Sequence, residues 1–299
     1  MLWPFTNPTS KSDGRWVVVD LHVHSTYSGG GLTPQEILET AQGLLMDGVA
    51  IADHYQTQGA QEGELFSARD RLLPCTLVAQ EISAGDHFHF LVVGGDRQPW
   101  TEIPRRQLAA KFRGHRESGG AIILAHPWTM PKNSWNYDFL KEIAAAGLLD
   151  AVELFNAGIL EVSTATVKEL QKLWEEWLAP NNLGVTGGSD FHHYRQGRII
   201  GQGRTYFRVF QPEAVGIIEA LRNRRCVAGL FGCSFNDLNW LGSGNRIIFG
   251  AEPWLSELKA LNCELYHKLA GNWLLKSSRY QYLRRLLETG NFQMVKELL

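Results

Sequence analysis

Residue types that bind metals recur along the chain, and almost every one of them ends a short apolar run typical of a β-strand. The set includes six of the ten histidines. Imidazoles and carboxylates together favour Zn, Mn or Fe over Ca or Mg alone. In chain order the members are His22, His24, Asp53, His54, Glu81, His89, His126, Asp190 and His192. Because strand ends around a barrel mouth can bring such distant residues together, the pattern predicts a metal-dependent hydrolase.

Two of the motifs use the alternation of side chains along a strand. His22 and His24 are separated by one residue, so both imidazoles point to the same side of a strand. Asp190 and His192 repeat this spacing directly after a pair of glycines, which let the backbone approach a crowded site. Pro127 follows His126, fixes the turn and removes a competing donor. These spacings indicate side chains that converge on one site.

Glu81 and one of two histidines complete the set. Glu81 follows the apolar run 76–79, and a buried carboxylate needs a partner. If it bridges two metals, both of its oxygens are satisfied. His87 and His89 share a strand face, and we favour His89 because it lies within the apolar run 88–93, with His87 as the alternative. The histidines outside the set are interpreted as structural, surface or bystander residues: His115, His193 and His267.

Composition restricts the class of protein. A chain of 299 residues with 44% hydrophobic and 20% charged residues is long enough for one large domain, or for a domain with an appendage. The net charge of −2 provides no broad electrostatic basis for binding nucleic acid or membrane. The four cysteines form no C-x-x-C pair, which is typical of a reducing compartment. No apolar run of about 18 residues occurs, and residues 1–16 lack the apolar stretch of a signal peptide. We therefore expect a cytoplasmic protein.

The order of predicted elements indicates the fold class. Strand-like runs alternate with helical patterns between residues 17 and 229, which predicts an α/β domain with a largely parallel sheet and helices outside. Because the ligand types come from many strands, closure into a barrel is favoured over an open sheet. Residues 230–299 form a glycine-rich stretch followed by amphipathic helical patterns. We predict a barrel domain over 1–229 and a C-terminal helical extension over 230–299. The extension is expected to pack on the barrel, with a dimer contact or a lid over the site as the alternatives.

Six short motifs resemble the polymerase and histidinol phosphatase (PHP) family of metal-dependent phosphoesterases. They are D-L-H-V-H-S-T-Y-S (20–28), A-D-H (52–54), E-I-S (81–83), A-H-P (125–127), V-E-L-F-N (152–156) and G-S-D-F-H (188–192). Together they cover about residues 17 to 229. The stretches A-H-P-W (125–128), V-E-L-F-N (152–156) and G-G-S-D-F-H (187–192) most closely resemble the branch of the family related to carbaryl-hydrolysing enzymes.

The resemblance implies a distorted seven-stranded (β/α) barrel with two or three divalent metal ions, Zn, Mn or Fe, at its mouth. The implied ligands are His22, His24, Glu81 and Asp190 for a first metal, Glu81, His89 and His126 for a second, and His54 and His192 for a third. The chain departs from the family pattern at Gly29, where the family usually places an acidic residue or a histidine one position after Ser28. The third metal is therefore absent, weakly held, or completed by water or substrate phosphate.

The expected reaction is hydrolysis of a small phosphorylated metabolite or nucleotide. Two metals lower the pKa of a bridging water, and the resulting hydroxide attacks phosphorus in line. If no metal binds it, His54 or His192 would protonate the leaving oxygen, and Asp190 would act with them at the reacting centre. Ser25 and Asn156 are candidates for hydrogen bonds around the site.

A phosphate group also favours a nearby guanidinium or ammonium group. The candidates that follow the ligand motifs are Lys132, Arg195 and Arg198. A requirement for either arginine would favour a phosphate substrate.

Two other functions stay open. The same barrel and the same hydroxide would hydrolyse a carbamate, ester or amide, and only the substrate pocket distinguishes that reaction. The missing ligand at Gly29 also fits a non-catalytic PHP-like binding module. Nucleic acid is less favoured as a substrate because the chain lacks a basic stripe with interleaved aromatic residues. A homo-oligomer is an open alternative.

Overall fold

The computed structural model describes residues 15–84, 88–127, 137–156, 177, 180–193, 198, 200–211 and 213–230. The motifs that carry the family resemblance all lie within these ranges. Four residues considered above lie outside them: His87, Lys132, Arg195 and His267. Residues 231–299, which make up nearly all of the predicted C-terminal extension, lie outside them as well.

The described part of the chain contains nine strands and five helices. The strands are β1 (Arg15–Val23), β2 (Gly48–Ile51), β3 (Cys75–Ala84), β4 (Phe88–Val93), β5 (Ala121–Ala125), β6 (Ala151–Asn156), β7 (Gly184–Gly188), β8 (Gly203–Val209) and β9 (Cys226–Leu230). The helices are α1 (Pro34–Gly43), α2 (Gln58–Arg69), α3 (Arg105–Glu117), α4 (Tyr137–Ala145) and α5 (Ala214–Arg222). None of the described helices is long and apolar enough to cross a membrane.

The start of α1 shows how the local sequence sets an element. Thr33 caps the helix by accepting a hydrogen bond from the backbone N–H of Glu36, and the Glu36 carboxylate accepts one from the backbone N–H of Thr33. Pro34 occupies the first helical turn, where its missing N–H costs nothing. A threonine followed by a proline is a residue pair that favours the start of a helix, so the local sequence accounts for this boundary.

The strands form one sheet in the order β7-β6-β5-β4-β3-β2-β1-β8-β9. The pairs β1–β2, β2–β3, β5–β6 and β6–β7 are parallel, whereas β3–β4, β4–β5, β1–β8 and β8–β9 are antiparallel. The sheet is therefore mixed, not largely parallel as expected. One physical reason lies between β3 and β4, where the connection is far too short for the crossover that a parallel pair requires.

The sheet curls into a nearly closed barrel, because the segment after β7 returns to β1. Val23 pairs in parallel with Phe191. The backbone N–H of His24 donates to the Phe191 carbonyl at 2.9 Å, and that of Asp190 donates to the His22 carbonyl at 2.8 Å. Closure therefore sets the Asp190–His192 motif directly against the His22–His24 motif, across more than 160 residues of chain. The predicted barrel is confirmed.

The sheet separates two apolar cores, one inside the barrel and one between the sheet and its helices. Val19 and Leu21 of β1 belong to the inner core, but Val23 belongs to the outer one. This change of side comes from an irregularity in the β1–β2 register between Asp20 and Val23. As a consequence His22 and His24, which flank Val23, point towards the barrel interior.

Helix α5 connects β8 to β9 and contributes to the inner core. Its apolar residues Ile217, Ala220 and Leu221 are buried there. Helix α5 joins the strands at the end of the barrel opposite the ligand motifs. This follows because Val209, the last residue of β8, pairs with Arg15, the first residue of β1. The end of the barrel with His22 and His24 is therefore the one at which a site can open to solvent.

Candidate metal centre

The structure brings together the eight residues that the family resemblance implies as metal ligands. Their donor atoms form three groups, within each of which the atoms lie within 4.8 Å of one another. The first ligand group is His22, His24, Glu81 and Asp190, the second is Glu81, His89 and His126, and the third is His24, His54 and His192. The groups share members, so they form one continuous centre at the barrel mouth.

The first ligand group has the spacing of a metal site. The Nε2 atoms of His22 and His24 are 3.1 Å apart, and Glu81 Oε2 lies 3.3 and 3.2 Å from them. Asp190 Oδ1 lies 3.5 and 3.4 Å from the same two nitrogens. A tetrahedral shell with bonds of about 2.0–2.1 Å places its ligand atoms about 3.3 Å apart. The donor set therefore fits a divalent ion such as zinc.

The second ligand group uses the other oxygen of the same carboxylate. Glu81 Oε1 lies 2.7 Å from His89 Nδ1 and 3.0 Å from His126 Nε2. Leu77 and Ala79 of β3 lie in the inner core, so strand alternation turns the buried Glu81 inwards as well. Its two oxygens thus face two ligand groups, as a bridging carboxylate requires.

A buried glutamate that the sequence analysis assigned no role orients His22. The Nδ1 atom of His22 lies 3.2 and 3.3 Å from the carboxylate oxygens of Glu153. Glu153 also accepts hydrogen bonds from the His126 backbone N–H at 2.9 Å and from Asn156 Nδ2 at 3.2 Å. An N–H at Nδ1 of His22 leaves the lone pair of Nε2 directed at the first ligand group. The signal was present in the sequence, because Glu153 is a lone carboxylate within the apolar strand β6, as Glu81 is in β3.

His24 is oriented by a different set of partners. Its Nδ1 lies 3.3 Å from Ser28 Oγ, and that hydroxyl donates to Asp53 Oδ1 at 2.6 Å. Ser25 donates to Asp53 twice, from its backbone N–H at 2.8 Å and from its hydroxyl at 2.6 Å. Asp53, which the sequence pattern placed in the ligand set, lies outside the three groups and holds the 24–28 loop instead.

The charges at the centre favour cation binding. Burial alone would raise the pKa of Glu81, but the neighbouring His22 and hydrogen bonds from three histidines hold it well below its ordinary value. Burial likewise opposes ionisation of Asp190, yet the nearby His22, His24, His126 and Arg198 lower its pKa. Both carboxylates are therefore anionic at neutral pH, and two anions among imidazoles are a suitable ligand set for a divalent metal.

Three of the six non-glycine residues with positive φ in the described part of the chain lie at strand ends that carry the ligands. Tyr55 (φ 54°), His126 (φ 24°) and Asp190 (φ 49°) all adopt positive φ although none of them is glycine. Tyr55 directly follows the ligand candidate His54. Residues in sparsely populated backbone regions persist where the surroundings impose them, and they cluster at functional sites.

Arg198 is the one described residue among the three phosphate-binding candidates. Its Nη1 donates to the Asp190 backbone carbonyl at 3.0 Å and to the Asp190 carboxylate. This contact places a guanidinium group directly beside the first ligand group.

Gly29 has a φ of 92°, and a Cβ added to it would meet no atom within 4 Å. The backbone one position after Ser28 is thus next to open space.

Comparison with known proteins supports the fold. No protein-family model matches the chain, and no curated protein matches it. Among solved structures, the chain is similar to a two-domain protein from Bacteroides vulgatus that contains a predicted PHP-like metal-dependent phosphoesterase. The identity is 18%, the TM-score is 0.59, and the match covers 74% of this chain and 66% of that one.

Two further likenesses are weaker. An amidohydrolase from Chromobacterium violaceum has 18% identity and a TM-score of 0.46 over 58% of this chain and 87% of that one. PsfC from Pseudomonas syringae has 18% identity and a TM-score of 0.49 over 72% and 92%.

The fold assignment rests on the Bacteroides vulgatus protein, because the other two TM-scores are below 0.5. The match spans just under two thirds of that protein's length. At this level of identity the likeness shows the fold. The described domain has the PHP-like barrel fold that its sequence motifs predicted.

Proposed function

We propose that the chain is a metal-dependent hydrolase that acts on a small phosphorylated metabolite or nucleotide. One observation carries the proposal: Glu81 presents Oε2 to the first ligand group and Oε1 to the second. A carboxylate shared in this way is the arrangement of a two-metal hydrolytic centre. The PHP-like fold supports the same function.

The residues of the first and second ligand groups would hold the ions, with Zn, Mn or Fe as the candidates. When bound, such ions would lower the pKa of a water molecule and offset the negative charge that develops during hydrolysis. The chain supplies the positioning. Glu153 and Ser28 fix the rings of His22 and His24, and the Glu81 carboxylate sets the separation of the two groups.

His54, His192 and Asp190 would act at the substrate side of the centre. The side chains of His54 and His192 are 37% and 22% exposed, whereas those of His22 and His24 are fully buried. A substrate that enters the mouth meets these two imidazoles, and the second-group ligand His89 at 33% exposed, before it meets the buried pair. We propose that these two imidazoles contact the leaving group and that Asp190 completes the first ligand group.

The substrate class rests on nearby cations. Arg198 lies beside Asp190, where a guanidinium group can bind a phosphate oxygen. Lys132 and Arg195, which lie outside the described residues, stay candidates for the same role. We expect a cytoplasmic enzyme with a small-molecule substrate, and nucleic acid is the less favoured substrate.

One observation favours a second function, hydrolysis of an ester, carbamate or amide. Within the described residues, the guanidinium group at this end of the barrel is already paired with the Asp190 carboxylate. A phosphate would have to compete for it, whereas a neutral substrate would not. The same ligand groups serve both reactions.

The test combines metal content with turnover on matched reporters. Elemental analysis of the purified chain should find at least two Zn or Mn ions per chain. The loaded chain should hydrolyse p-nitrophenyl phosphate or bis-p-nitrophenyl phosphate, and His22→Ala should abolish turnover. The control is His193→Ala, an exposed imidazole outside the three ligand groups, which should keep it.

The outcomes separate the alternatives. Bound metal with turnover only of p-nitrophenyl acetate or a p-nitrophenyl carbamate would replace the phosphoesterase with the second function. A chain that binds no metal after supplementation would contradict both and leave a non-catalytic binding module.

A further inference from the structure

We infer that this chain holds two metal ions and not three, and that His54 and His192 face the substrate as imidazoles without a metal. The inference rests on the proposed function, since it divides the residues of the same centre. It concerns the third ligand group, His24, His54 and His192, which shares His24 with the first.

Sharing a carboxylate and sharing an imidazole are chemically different. Glu81 serves two groups because each of its two oxygens faces a different one. His24 has no such second donor. Its Nε2 lies among the atoms of the first ligand group, and its Nδ1 is bonded to Ser28 Oγ, which is in turn held by Asp53. His24 is therefore committed to the first ligand group.

The distances between rings support the same division. An imidazole centroid lies about 3.2 Å from an ion bound at about 2.0–2.1 Å, so two imidazoles that bind one ion at ordinary angles have centroids about 4.5–5.2 Å apart. The His22–His24 and His89–His126 pairs are both at 5.1 Å. In the third ligand group the three separations are 4.6, 3.9 and 6.0 Å. Only the first of these three falls within the range.

The closest pair of the third ligand group is stacked. His24 and His192 have an interplanar angle of 24° at 3.9 Å. Lone pairs of imidazole nitrogens lie in the ring plane, so nearly parallel rings at this distance do not direct both lone pairs at one ion. Stacking is the contact of two packed rings, and it leaves His24 free to serve the first ligand group alone.

Without His24, the third ligand group retains two imidazoles. Gly29 offers no side chain, and its Cβ position borders open space. Zinc sites in proteins use at least three protein ligands. Among the described residues, the carboxylate oxygen nearest to His54 Nδ1 is Glu81 Oε2 at 3.3 Å, and that oxygen already serves the first ligand group. His54 and His192 therefore have too few ligands of their own to hold a further ion.

The two imidazoles are instead placed to contact a substrate. His192 Nδ1 lies 3.2 Å from the Asp190 backbone carbonyl, which can only accept, so Nδ1 carries the proton. In the neutral ring Nε2 then has a lone pair that can accept a hydrogen bond from a substrate hydroxyl. The open space at Gly29 gives such a group room near the mouth.

The experiment counts zinc on the full chain after equilibrium dialysis, by elemental analysis. We expect two ions per chain in the wild type, in His54→Ala, in His192→Ala and in the double variant. His89→Ala, which removes a ligand of the second group, should hold one. His193→Ala is the matched control for its neighbour and should hold two. For His192→Ala we also expect a several-fold rise in KM for glycerol 2-phosphate, whose hydroxyls can donate to Nε2, at unchanged zinc content.

The outcomes are distinguishable. Three ions in the wild type that fall to two in His192→Ala would overturn the inference while leaving the proposed function in place. Two ions in the wild type that fall to one in His192→Ala would also overturn it. Fewer than two ions in the wild type would contradict the proposed two-metal centre itself. Unchanged KM and kcat in His192→Ala would remove the substrate-facing role.

Discussion

Two pairs of histidines meet at the mouth of this barrel, and they are held in different ways. His22 and His24 are fully buried, and each has a side-chain partner at Nδ1: Glu153 for one and Ser28 for the other. His54 and His192 are partly exposed, and the Nδ1 of His192 contacts a backbone carbonyl.

The difference separates two tasks within one site. A side-chain partner at Nδ1 fixes both the ring orientation and the nitrogen that carries the lone pair, which a metal ligand needs. Because the two rings are buried, water also cannot compete for their ligand nitrogens. The exposed pair is accessible, which suits groups that meet a substrate, although His54 Nδ1 lies 3.3 Å from Glu81 Oε2.

The largest expected effect comes from removing the carboxylate that both buried groups share. Glu81→Gln should lower kcat/KM by about 10³-fold or more and reduce the metal content, because both groups lose their anionic ligand. Glu64→Gln, at an exposed ion pair with Arg97, is the control. The measurement is turnover together with elemental analysis. Retained activity at full metal content would show that the two groups do not depend on Glu81.

Glu153→Gln tests the partner that orients His22. The variant keeps an acceptor for Nδ1 but loses the charge, and metal affinity should fall by about 10- to 100-fold. Competition with a chromophoric chelator measures this affinity, and Glu219→Gln on the outer surface serves as the control. An affinity equal to that of the wild type would mean that Glu153 is a structural residue alone.

Ser28→Ala should have a smaller effect on the other buried ring. One neutral hydrogen bond contributes about 1 kcal/mol, which corresponds to about a five-fold loss of metal affinity. Ser118→Ala, whose hydroxyl donates to the His115 carbonyl away from the centre, is a matched change. The same chelator competition applies. A loss as large as that of Glu153→Gln would indicate that the 24–28 loop itself rearranges.

The smallest effect concerns a partly buried carboxylate that lacks imidazole neighbours. Burial raises the pKa of Asp47 from 3.8 to about 7, although it accepts a hydrogen bond from the Val18 backbone N–H. The folded chain then binds this proton more tightly than the unfolded chain, so the free energy of unfolding should fall as pH rises from about 4 to about 7.

Asp47→Asn removes this charge and retains an acceptor for Val18. It should flatten the pH dependence of the free energy of unfolding by an amount on the order of 1 kcal/mol, since partial exposure reduces the effect. Urea denaturation at pH 5 and pH 8 measures the difference. If the free energy of unfolding changed equally between pH 5 and pH 8 in the variant and the wild type, Asp47 would be ionised in the folded chain at both pH values. The pKa of Asp190 is lowered, not raised, because histidines and Arg198 surround it.

Most members of the centre are recognisable from the sequence alone. The spacing of His22 and His24, and the positions of Glu81, His126 and Asp190 at strand ends, predicted their convergence. Glu153 was assigned no role, and Asp53, which the pattern placed in the ligand set, lies outside the three ligand groups. A carboxylate next to a ligand motif can equally bind the metal or hold a ligand. Which role it has depends on the atoms that its side chain faces in the folded chain, and packing decides this.

The sequence by itself determined the residue types, their order, the alternation that turns paired residues to one side, and the barrel class that the motifs indicate. Those properties are local, because strand periodicity and capping depend on residues a few positions apart. The tertiary structure decided the mixed sheet and the irregularity in β1 that turns His22 and His24 inwards. It also decided the assignment of each Glu81 oxygen to one group and of His24 to the first group alone. These features depend on strand register and ring orientation, which are fixed only when residues far apart in the sequence pack together.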